Sequence, residues 1–309
     1  MKGFAERADV EDVERFLAEH TCALEPEPVP IGACAGRVLA RDVASEVDVP
    51  GFARSAMDGY AVRGADTFGA SAYDPIALRV VGQALPGAPF PGSVAAGCAV
   101  RVMTGAPVPE GADAVVMAEV CEERGDVVAI AEAVAPRKHV GAIGEDIRAG
   151  EIALRAGRVL RPQDAGLLAS IGAAAPLCVR RPRVRLVITG DELLPPGSRP
   201  TGARIVDSNS VMLAALATRD GALVLPHAIV PDRTDAIRAA LAAGGADVAL
   251  VSGGSSVGQE DHAPRLVAEL GTLDYHGVSM RPSSPAGVDR KSTRLNSSHT
   301  MTSRMPSSA

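Results

Sequence analysis

The hydrophobic pattern becomes regular after about residue 183, where short apolar runs alternate with segments of helical spacing. Alternation of this kind is typical of a parallel sheet covered by helices on both faces, and the right-handed crossover rule makes it doubly wound. The pattern predicts strands over 184–189, 223–230, 247–251 and 272–280, and helices over 208–219, 234–243 and 263–270.

The pattern between residues 76 and 134 is different, because it is β-like and broken throughout by Gly and Pro. It predicts strands over 76–81, 98–103, 113–117 and 126–130, and therefore a small inserted all-β unit. Helices are predicted on either side, at 9–19 and 160–171. The first of these places its apolar residues on one face, with Asp9 as a possible cap: Val10, Val13, Phe16 and Leu17.

The segment 49–63 shows no clean period. It fits a surface connection between domains about as well as a loop that is anchored by Phe52, Met57 and Tyr60. In the second case Asp58 would be presented on a held loop.

Composition narrows the class of protein. The chain has 309 residues, enough for two or three domains, and 47% of them are apolar with only 3% aromatic, so the core must be Ala, Val and Leu. A net charge of −6 without a basic block argues against nucleic-acid binding. The five cysteines are scattered without metal spacing, and no apolar run is long enough for a membrane span. We expect a cytoplasmic protein without membrane contact.

Acidic residues follow the first regular strand directly. After 184–189 the chain turns at Gly190 and presents Asp191 and Glu192. Ligand sites in open α/β sheets lie at the carboxyl ends of strands, and Mg²⁺ bound with phosphates takes one or two carboxylates. A solvated acidic turn is the competing interpretation.

A second loop, SGGSSVG at 252–258, follows the predicted strand 247–251. Its glycines allow close backbone approach, and consecutive N–H groups can bind phosphate. It matches neither GxxxxGK[ST] nor GxGxxG, so a turn that serves packing alone stays open. Asp261 is as compatible with a helix cap as with a ligand.

Three weaker signals remain. Thr104 ends a predicted strand, where a hydroxyl and free N–H groups can meet an anion. Glu145 and Asp146 lie in a glycine-flanked acidic loop that could be only solvated. The histidines have no metal-ligand spacing, and GxSxG is absent.

Five motifs nevertheless occur in a recognisable order: SAMDGYAVR, MTGAPVPEGADAVVM, GEDIRAGE, TGDEL and SGGSSVGQED. Together they resemble the molybdopterin molybdenumtransferase family, which includes MoeA-like enzymes and the corresponding domain of gephyrin. The resemblance covers about residues 9–290. It implies an enzyme that inserts molybdate into adenylated molybdopterin with release of AMP, assisted by Mg²⁺.

The resemblance also implies an architecture. It gives a discontinuous N-terminal helical and linker domain at 1–50 and 141–178, an inserted β domain at 51–140, and a molybdopterin-binding α/β domain at 179–290. Family members are homodimers whose cleft lies between the α/β domain of one subunit and the inserted domain of the other. A molybdopterin adenylyltransferase and the maturation factors of molybdoenzymes are the protein partners that the resemblance allows.

Residue roles are implied motif by motif. The positions on which the family carries functional residues are Asp58, Thr104, Asp146, Glu192, Asp261 and, as a looser match, Asp232. Glu192 and Asp261 are assigned to Mg²⁺ and pyrophosphate. The residues assigned to substrate binding are Gly190, Asp191, Ser208, Ser252, Gly253, Gly254, Ser256, Gly258, Arg281, Pro282 and Ser284.

Two departures from the family accompany these assignments. Where many members have KPGKP, this chain has RPSSP at 281–285, so Arg281 supplies one cation but Ser284 cannot supply a second. A GNPVS-type loop and a C-terminal β domain are expected after Arg290. The Ser/Thr/Arg-rich segment 291–309 stands there instead, and we interpret it as a disordered artefactual tail on a truncated member.

Two other functions remain as alternatives. A molybdopterin adenylyltransferase shares the α/β domain, but it favours a TGGTG-type loop and lacks the DGYAV and MTGAP segments. A non-catalytic pterin-binding or scaffold protein is compatible with the missing lysine and loop.

Overall fold

The computed structural model describes residues 7–253, 262–280, 286–290 and 299–302. The chain forms two compact units, one of residues 28–177 and one of residues 1–27 with 178–309. This division is coarser than the predicted domains. It places the first helix with the α/β part of the chain, whereas we expected that helix to accompany 141–178.

The described elements up to residue 177 are mostly short strands. In chain order they are α1 (Val10–His20), β1 (Pro26–Pro28), β2 (Val43–Ala44), β3 (Arg54–Ser55), β4 (Gly59–Val62), β5 (Ile76–Ala84), β6 (Cys98–Val102), β7 (Ala114–Met117), β8 (Cys121–Arg124), β9 (Val127–Ile130), β10 (Val140–Gly141), β11 (Ile152–Leu154) and α2 (Pro162–Ser170).

The later elements alternate between strand and helix. They are β12 (Leu177–Val179), β13 (Arg183–Thr189), β14 (Leu193–Leu194), β15 (Ile205–Val206), α3 (Asn209–Arg219), β16 (Leu223–Val224), β17 (Ile229–Val230), α4 (Thr234–Ala242), β18 (Val248–Ser252), α5 (His262–Leu270), β19 (Thr272–His276), β20 (Gly287–Arg290) and β21 (His299–Thr302).

The unit of residues 28–177 is organised around a six-stranded sheet in the order β7-β4-β6-β5-β9-β8. Both faces of this sheet are buried. One face packs Tyr60, Leu78 and Ile130, and the other packs Val100 and Val102. The four predicted strands all form here, but β4 and β8 were not predicted. Strand β4 is buried along its whole length, so it lacks the alternation that marks a half-buried strand.

The other unit contains a seven-stranded sheet in the order β16-β13-β18-β21-β20-β19, with β17 also paired to β13. Helices α4 and α5 pack on one face through Ile237 and Leu266, and α3 packs on the other through Leu213. The predicted α/β class with helices on both faces is confirmed.

The sheet differs from the prediction in three details. It is mixed, because β20 runs antiparallel to both β19 and β21. The predicted strand 223–230 is split into β16 and β17, with Pro226, which has no N–H to donate to a ladder, between them. The predicted strand 272–280 ends at His276, four residues early, and the chain turns at Gly277 with φ 101°.

The segment 291–309 is a further difference. We predicted disorder throughout, but His299–Thr302 forms β21, parallel to β18 and antiparallel to β20. Both of its threonines are β-branched residues that suit a strand. The physical reason is that β21 fills the gap between two strands that would otherwise each have an unpaired edge.

Helix α1 packs as its sequence predicts. Val13 is buried, and Val10, Phe16 and Leu17 lie on the same cluster with Val278 and Val288 of the sheet. Asp9 occupies the N-cap position, but its side chain makes no capping hydrogen bond.

Candidate functional site

The carboxyl ends of β13 and β17 bring two acidic residues together. These strands pair in parallel, with Thr189 opposite Val230, so the loops that follow them leave the sheet side by side. The N–H of Asp191 donates to Asp232 Oδ2, and the N–H of Asp232 donates to Asp191 Oδ1, each over 3.2 Å. Each carboxylate therefore holds the other residue's backbone and uses one oxygen to do so.

Glu192 follows directly on a turn that requires glycine. Gly190 has φ 152°, and a Cβ at this position would lie 2.8 Å from Glu192 Oε2 and 2.9 Å from Leu193 Cγ. The side chain of Glu192 is exposed and folds back over the turn. Only a residue without a side chain at 190 allows this approach.

The end of β18 is fixed against the end of β13. Gly253 has φ 110°, and a Cβ there would lie 2.4 Å from the carbonyl oxygen of Thr189 and 2.5 Å from its Oγ1. Thr189 and Ser252 are 4% and 3% exposed. Gly253 therefore allows strands β18 and β13 to pack closely at this point, which is the packing role that the sequence left open.

Helix α3 begins at the same edge. Asp207 caps it by accepting a 3.0 Å hydrogen bond from the N–H of Ser210. Ser208 is exposed at the N-cap position, and Asn209 Nδ2 donates to Ser252 Oγ over 2.9 Å. The positive end of the helix dipole and the free N–H groups of its first turn favour anions here.

In the unit of residues 28–177, Asp58 and Thr104 form a pair. Asp58 Oδ1 accepts from the N–H of Thr104 over 2.7 Å and from its Oγ1 over 2.8 Å. These donors, the backbone N–H first, hold the pKa of Asp58 below its usual range. Both residues are exposed, so Asp58 is an ionised carboxylate in contact with solvent.

Asp146 belongs to a neighbouring charged group. Strand β10 pairs with β3, which places Gly141 opposite Arg54. Arg54 Nη2 lies 2.5 Å from Glu145 Oε1 and 3.6 Å from Asp146 Oδ2. A Cβ at Gly141 would lie 2.8 Å from Glu145 Oε1, so this contact also depends on glycine.

Seven of the predicted residues lie outside the described part of the chain. They are Gly254, Ser256, Gly258, Asp261, Arg281, Pro282 and Ser284. Among the residues that the structure does describe, no group of three or more His, Cys, Asp or Glu side chains is arranged to hold a metal ion. The same described residues include no helix that is long and apolar enough to cross a bilayer.

The prediction for 49–63 is corrected in part. Tyr60 anchors the segment, at 4% exposed, but Phe52 and Met57 are 44% and 40% exposed. The loop is held mainly by backbone hydrogen bonds instead, including Gly105 N–H to the carbonyl of Ser55 over 2.8 Å. Asp58 is presented on a held loop, which is one of the two alternatives that the sequence left open.

Sequence reasoning missed three residues at these sites: Arg54, Thr189 and Asn209. Arg54 pairs with Glu145, which is 91 residues away along the chain. Asn209 is the first residue of helix α3. The signal that could have identified it is its position at the start of a helix in a strand–helix unit, where side chains reach the carboxyl edge.

Comparison with models of known protein families shows the family to which this chain belongs. Residues 8–172 match the family model of the MoeA N-terminal region (domain I and II), and residues 185–308 match that of the probable molybdopterin binding domain. The chain belongs to the MoeA family.

Individual MoeA relatives agree with this assignment. The chain is 38% identical over 293 residues to molybdopterin molybdenumtransferase 2 of Mycobacterium tuberculosis, covering 91% of this chain and 71% of that protein. It is 33% identical to the molybdopterin molybdenumtransferase of Haemophilus influenzae, covering 88% and 67%. The crystal structure of the molybdopterin biosynthesis moeA protein of Pyrococcus horikoshii is similar with a TM-score of 0.82, at 30% identity, covering 97% of this chain and 74% of that one.

Proposed function

We propose that this MoeA-family chain is a molybdopterin molybdenumtransferase that inserts molybdate into adenylated molybdopterin and releases AMP. The observation that supports this most is the carboxyl edge of the mixed sheet. This edge presents the exposed carboxylate of Glu192 beside Asp191 and Asp232, each of which accepts from the other's backbone N–H. The glycine-rich loop starts at Ser252, on the strand that pairs with β13. The relatives in Mycobacterium tuberculosis and Haemophilus influenzae carry the name molybdopterin molybdenumtransferase, which supports the same activity here.

The edge suits a phosphate-bearing substrate. The first turn of α3 offers backbone N–H groups, and Ser208 and Ser252 offer hydroxyls beside it. Phosphate binding by backbone N–H groups at a helix start needs no lysine.

Mg²⁺ fits the donor set of this edge. Glu192 is exposed, and Asp191 and Asp232 each use one carboxylate oxygen for a backbone N–H, which leaves hard oxygen donors of the kind that Mg²⁺ prefers. We assign the ion to Glu192 together with Asp261. When bound, Mg²⁺ would supply positive charge that stabilises the negative charge on phosphate during bond cleavage.

The chain's own residues then have defined roles. Glu192 would hold the Mg²⁺ that binds the phosphate-bearing end of the substrate, and the helix start binds the anionic oxygens. Asp58 is held ionised by Thr104, so it can accept a hydrogen bond from substrate, and Arg54 lies 3.6 Å from Asp146. Delivery of an oxyanion to a bound substrate is mainly a matter of such positioning and electrostatics.

We further propose that the enzyme is a homodimer in which Asp58, Thr104 and Asp146 complete the site of the partner subunit. Large apolar side chains that are close to these three residues along the chain are exposed. They are Phe52, Met57, Met103 and Ile143, at 44%, 40%, 37% and 53% exposed. Exposed apolar side chains grouped around polar ones are typical of surfaces that another protein covers. We place the reaction in the cytoplasm, as the sequence predicts.

The test is to incubate the purified protein with adenylated molybdopterin, Mg²⁺ and molybdate, and to measure AMP. We expect AMP release that requires molybdate. Release of pyrophosphate from ATP and molybdopterin would instead indicate an adenylyltransferase. Binding of adenylated molybdopterin without AMP release would indicate a non-catalytic binding protein, and either result would contradict the proposal.

A further inference from the structure

One hydrogen bond joins the start of helix α3 to the end of strand β18. Asn209 Nδ2 donates to Ser252 Oγ over 2.9 Å, and the contact is partly buried. Asn209 is the first residue of the helix, and Ser252 is the last residue of the strand. The bond therefore ties the anion-favouring end of the helix to the point where the glycine-rich loop leaves the sheet.

The surroundings leave little freedom at this point. Ser252 pairs in register with Ile188 of β13, and the next residue, Gly253, is in contact with Thr189. Within the described residues, the buried Oγ1 of Thr189 has no hydrogen-bond partner. Since this hydroxyl holds nothing, the strand pairing of Ser252 and its bond to Asn209 are the contacts that fix the loop start within the described residues.

The direction of the bond decides what Ser252 can do. Because Asn209 donates through its amide N–H, the Ser252 oxygen acts as the acceptor, and among the described residues its hydroxyl proton has no acceptor. The amide is also uncharged, so it adds no negative charge to that of Asp207, which already caps this helix.

We propose that Asn209 is a positioning residue for the anion-binding edge. It holds Ser252 so that the loop start stays fixed and the Ser252 hydroxyl serves as a donor to an anionic oxygen of the nucleotide part of the substrate. This inference rests on the proposed function and adds to it a residue outside the motifs that identified the family.

The test uses AMP alone as the probe, with binding measured by isothermal titration calorimetry and folding by thermal unfolding. Asn209→Asp keeps the shape of the side chain but reverses the bond and adds negative charge, so we expect AMP binding to weaken about tenfold. The Tm should stay equal or rise, because an acidic residue suits the first turn of a helix. If Asn209 had only a structural role, weaker AMP binding would be accompanied by a lower Tm.

Two further variants sharpen the result. Asn209→Ala should weaken AMP binding about fivefold, and the same change made in a Ser252→Ala background should have little additional effect, because the residue acts through Ser252. Thr218→Ala, near the other end of α3, is the control and should bind AMP like the natural chain.

The outcomes separate the two proposals. If Asn209→Asp binds AMP as tightly as the Thr218→Ala control, Asn209 is not a positioning residue, even if molybdate-dependent turnover is present. If the natural chain binds AMP and the Asn209 variants lose binding, but AMP release is absent, the inference stands and the proposed reaction is wrong. If the natural chain does not bind AMP, the inference is overturned.

Discussion

The two edges of the mixed sheet hold carboxylates in different ways. At the amino end of strand β18, Asp247 accepts from Arg180 over 2.8 and 2.9 Å and from the N–H of Arg183 over 2.7 Å. These contacts, with the Arg180 hydrogen bond first, hold the pKa of Asp247 below its usual range. At the carboxyl edge no cation bonds to Asp191 or Asp232 among the described contacts, and both stay exposed.

The difference separates acids that stabilise the fold from acids that are available to a ligand. A carboxylate fully occupied by arginine has no oxygen left for a metal ion or a substrate. Acids that bond only to backbone N–H groups, or to nothing, keep their charge and at least one oxygen. The unit of residues 28–177 shows the same division, between the Arg-bound Asp164 and the solvent-facing Asp58.

The largest effect is expected from Glu192→Gln. This variant removes one negative charge from the carboxyl edge of the sheet, and it should lower molybdate-dependent AMP release by about 100-fold or more. The fold should be unaffected because the side chain is exposed. Steady-state kinetics with circular dichroism would check both statements, and Glu14→Gln, on the exposed side of α1, is the matched control. Turnover near that of the control would remove Glu192 from the mechanism.

Asp164→Asn tests whether an acid that is bound by arginine stabilises the fold. The Asp164 side chain is 5% exposed and lies 2.9 Å from Arg158 and 3.2 Å from Arg161. Since Arg158 and then Arg161 lower its pKa, Asp164 stabilises the fold at neutral pH, and this contribution is lost as pH falls below about 4. We expect Asp164→Asn to reduce the free energy of unfolding by about 2 kcal/mol at pH 7, measured by urea denaturation. A change below about 0.5 kcal/mol would mean that the pair contributes little.

Asp58→Asn should have a smaller effect on turnover than Glu192→Gln. The amide oxygen of Asn can still accept from the N–H and Oγ1 of Thr104, so the loop should keep its geometry while it loses the charge. We expect AMP release to fall about tenfold. If Thr104→Ala lowers AMP release as much as Asp58→Asn does, and the double variant is no slower than either single variant, the two residues act as a unit.

The smallest effect is expected from Asp289, a buried acid whose Oδ1 has no hydrogen-bond partner among the residues that the structure describes. It is 3% exposed, and burial, followed by the charge of Asp274, raises its pKa to about 6. The folded state then binds more protons than the unfolded state between about pH 4 and 6, so stability falls as pH rises through that window. Asp289→Asn should flatten this pH dependence of Tm. A dependence equal to that of the natural chain would show that Asp289 is not its source.

Much of the fold follows from local pattern, as α1, α3 and α4 show, because their apolar faces and end signals lie within the segments themselves. Strand β4 could not be predicted, since it is buried on both faces and has no period. The placement of β21 depends on which edges the rest of the sheet leaves unpaired, and no local pattern contains that information.

The candidate site also contains residues that local sequence predicts and contacts that it does not predict. Asp191 and Glu192 were predicted because they follow a buried strand directly, and Asp58 and Thr104 because their motifs are recognisable. The reciprocal bond between Asp191 and Asp232, and the contacts of Arg54 and Asn209, join segments 41 to 91 residues apart. Spacing along the chain says nothing about such contacts until the strand order is known.

The central claim is that Glu192 of one subunit acts together with Asp58 of the partner on the same substrate. The most direct test is to co-express the Asp58→Asn and Glu192→Gln chains and to measure molybdate-dependent AMP release by the mixed dimers. Random pairing gives half of the dimers one intact site each, so activity should recover to about one quarter of that of the natural enzyme. Activity no higher than the mean of the two variants measured separately would contradict the account.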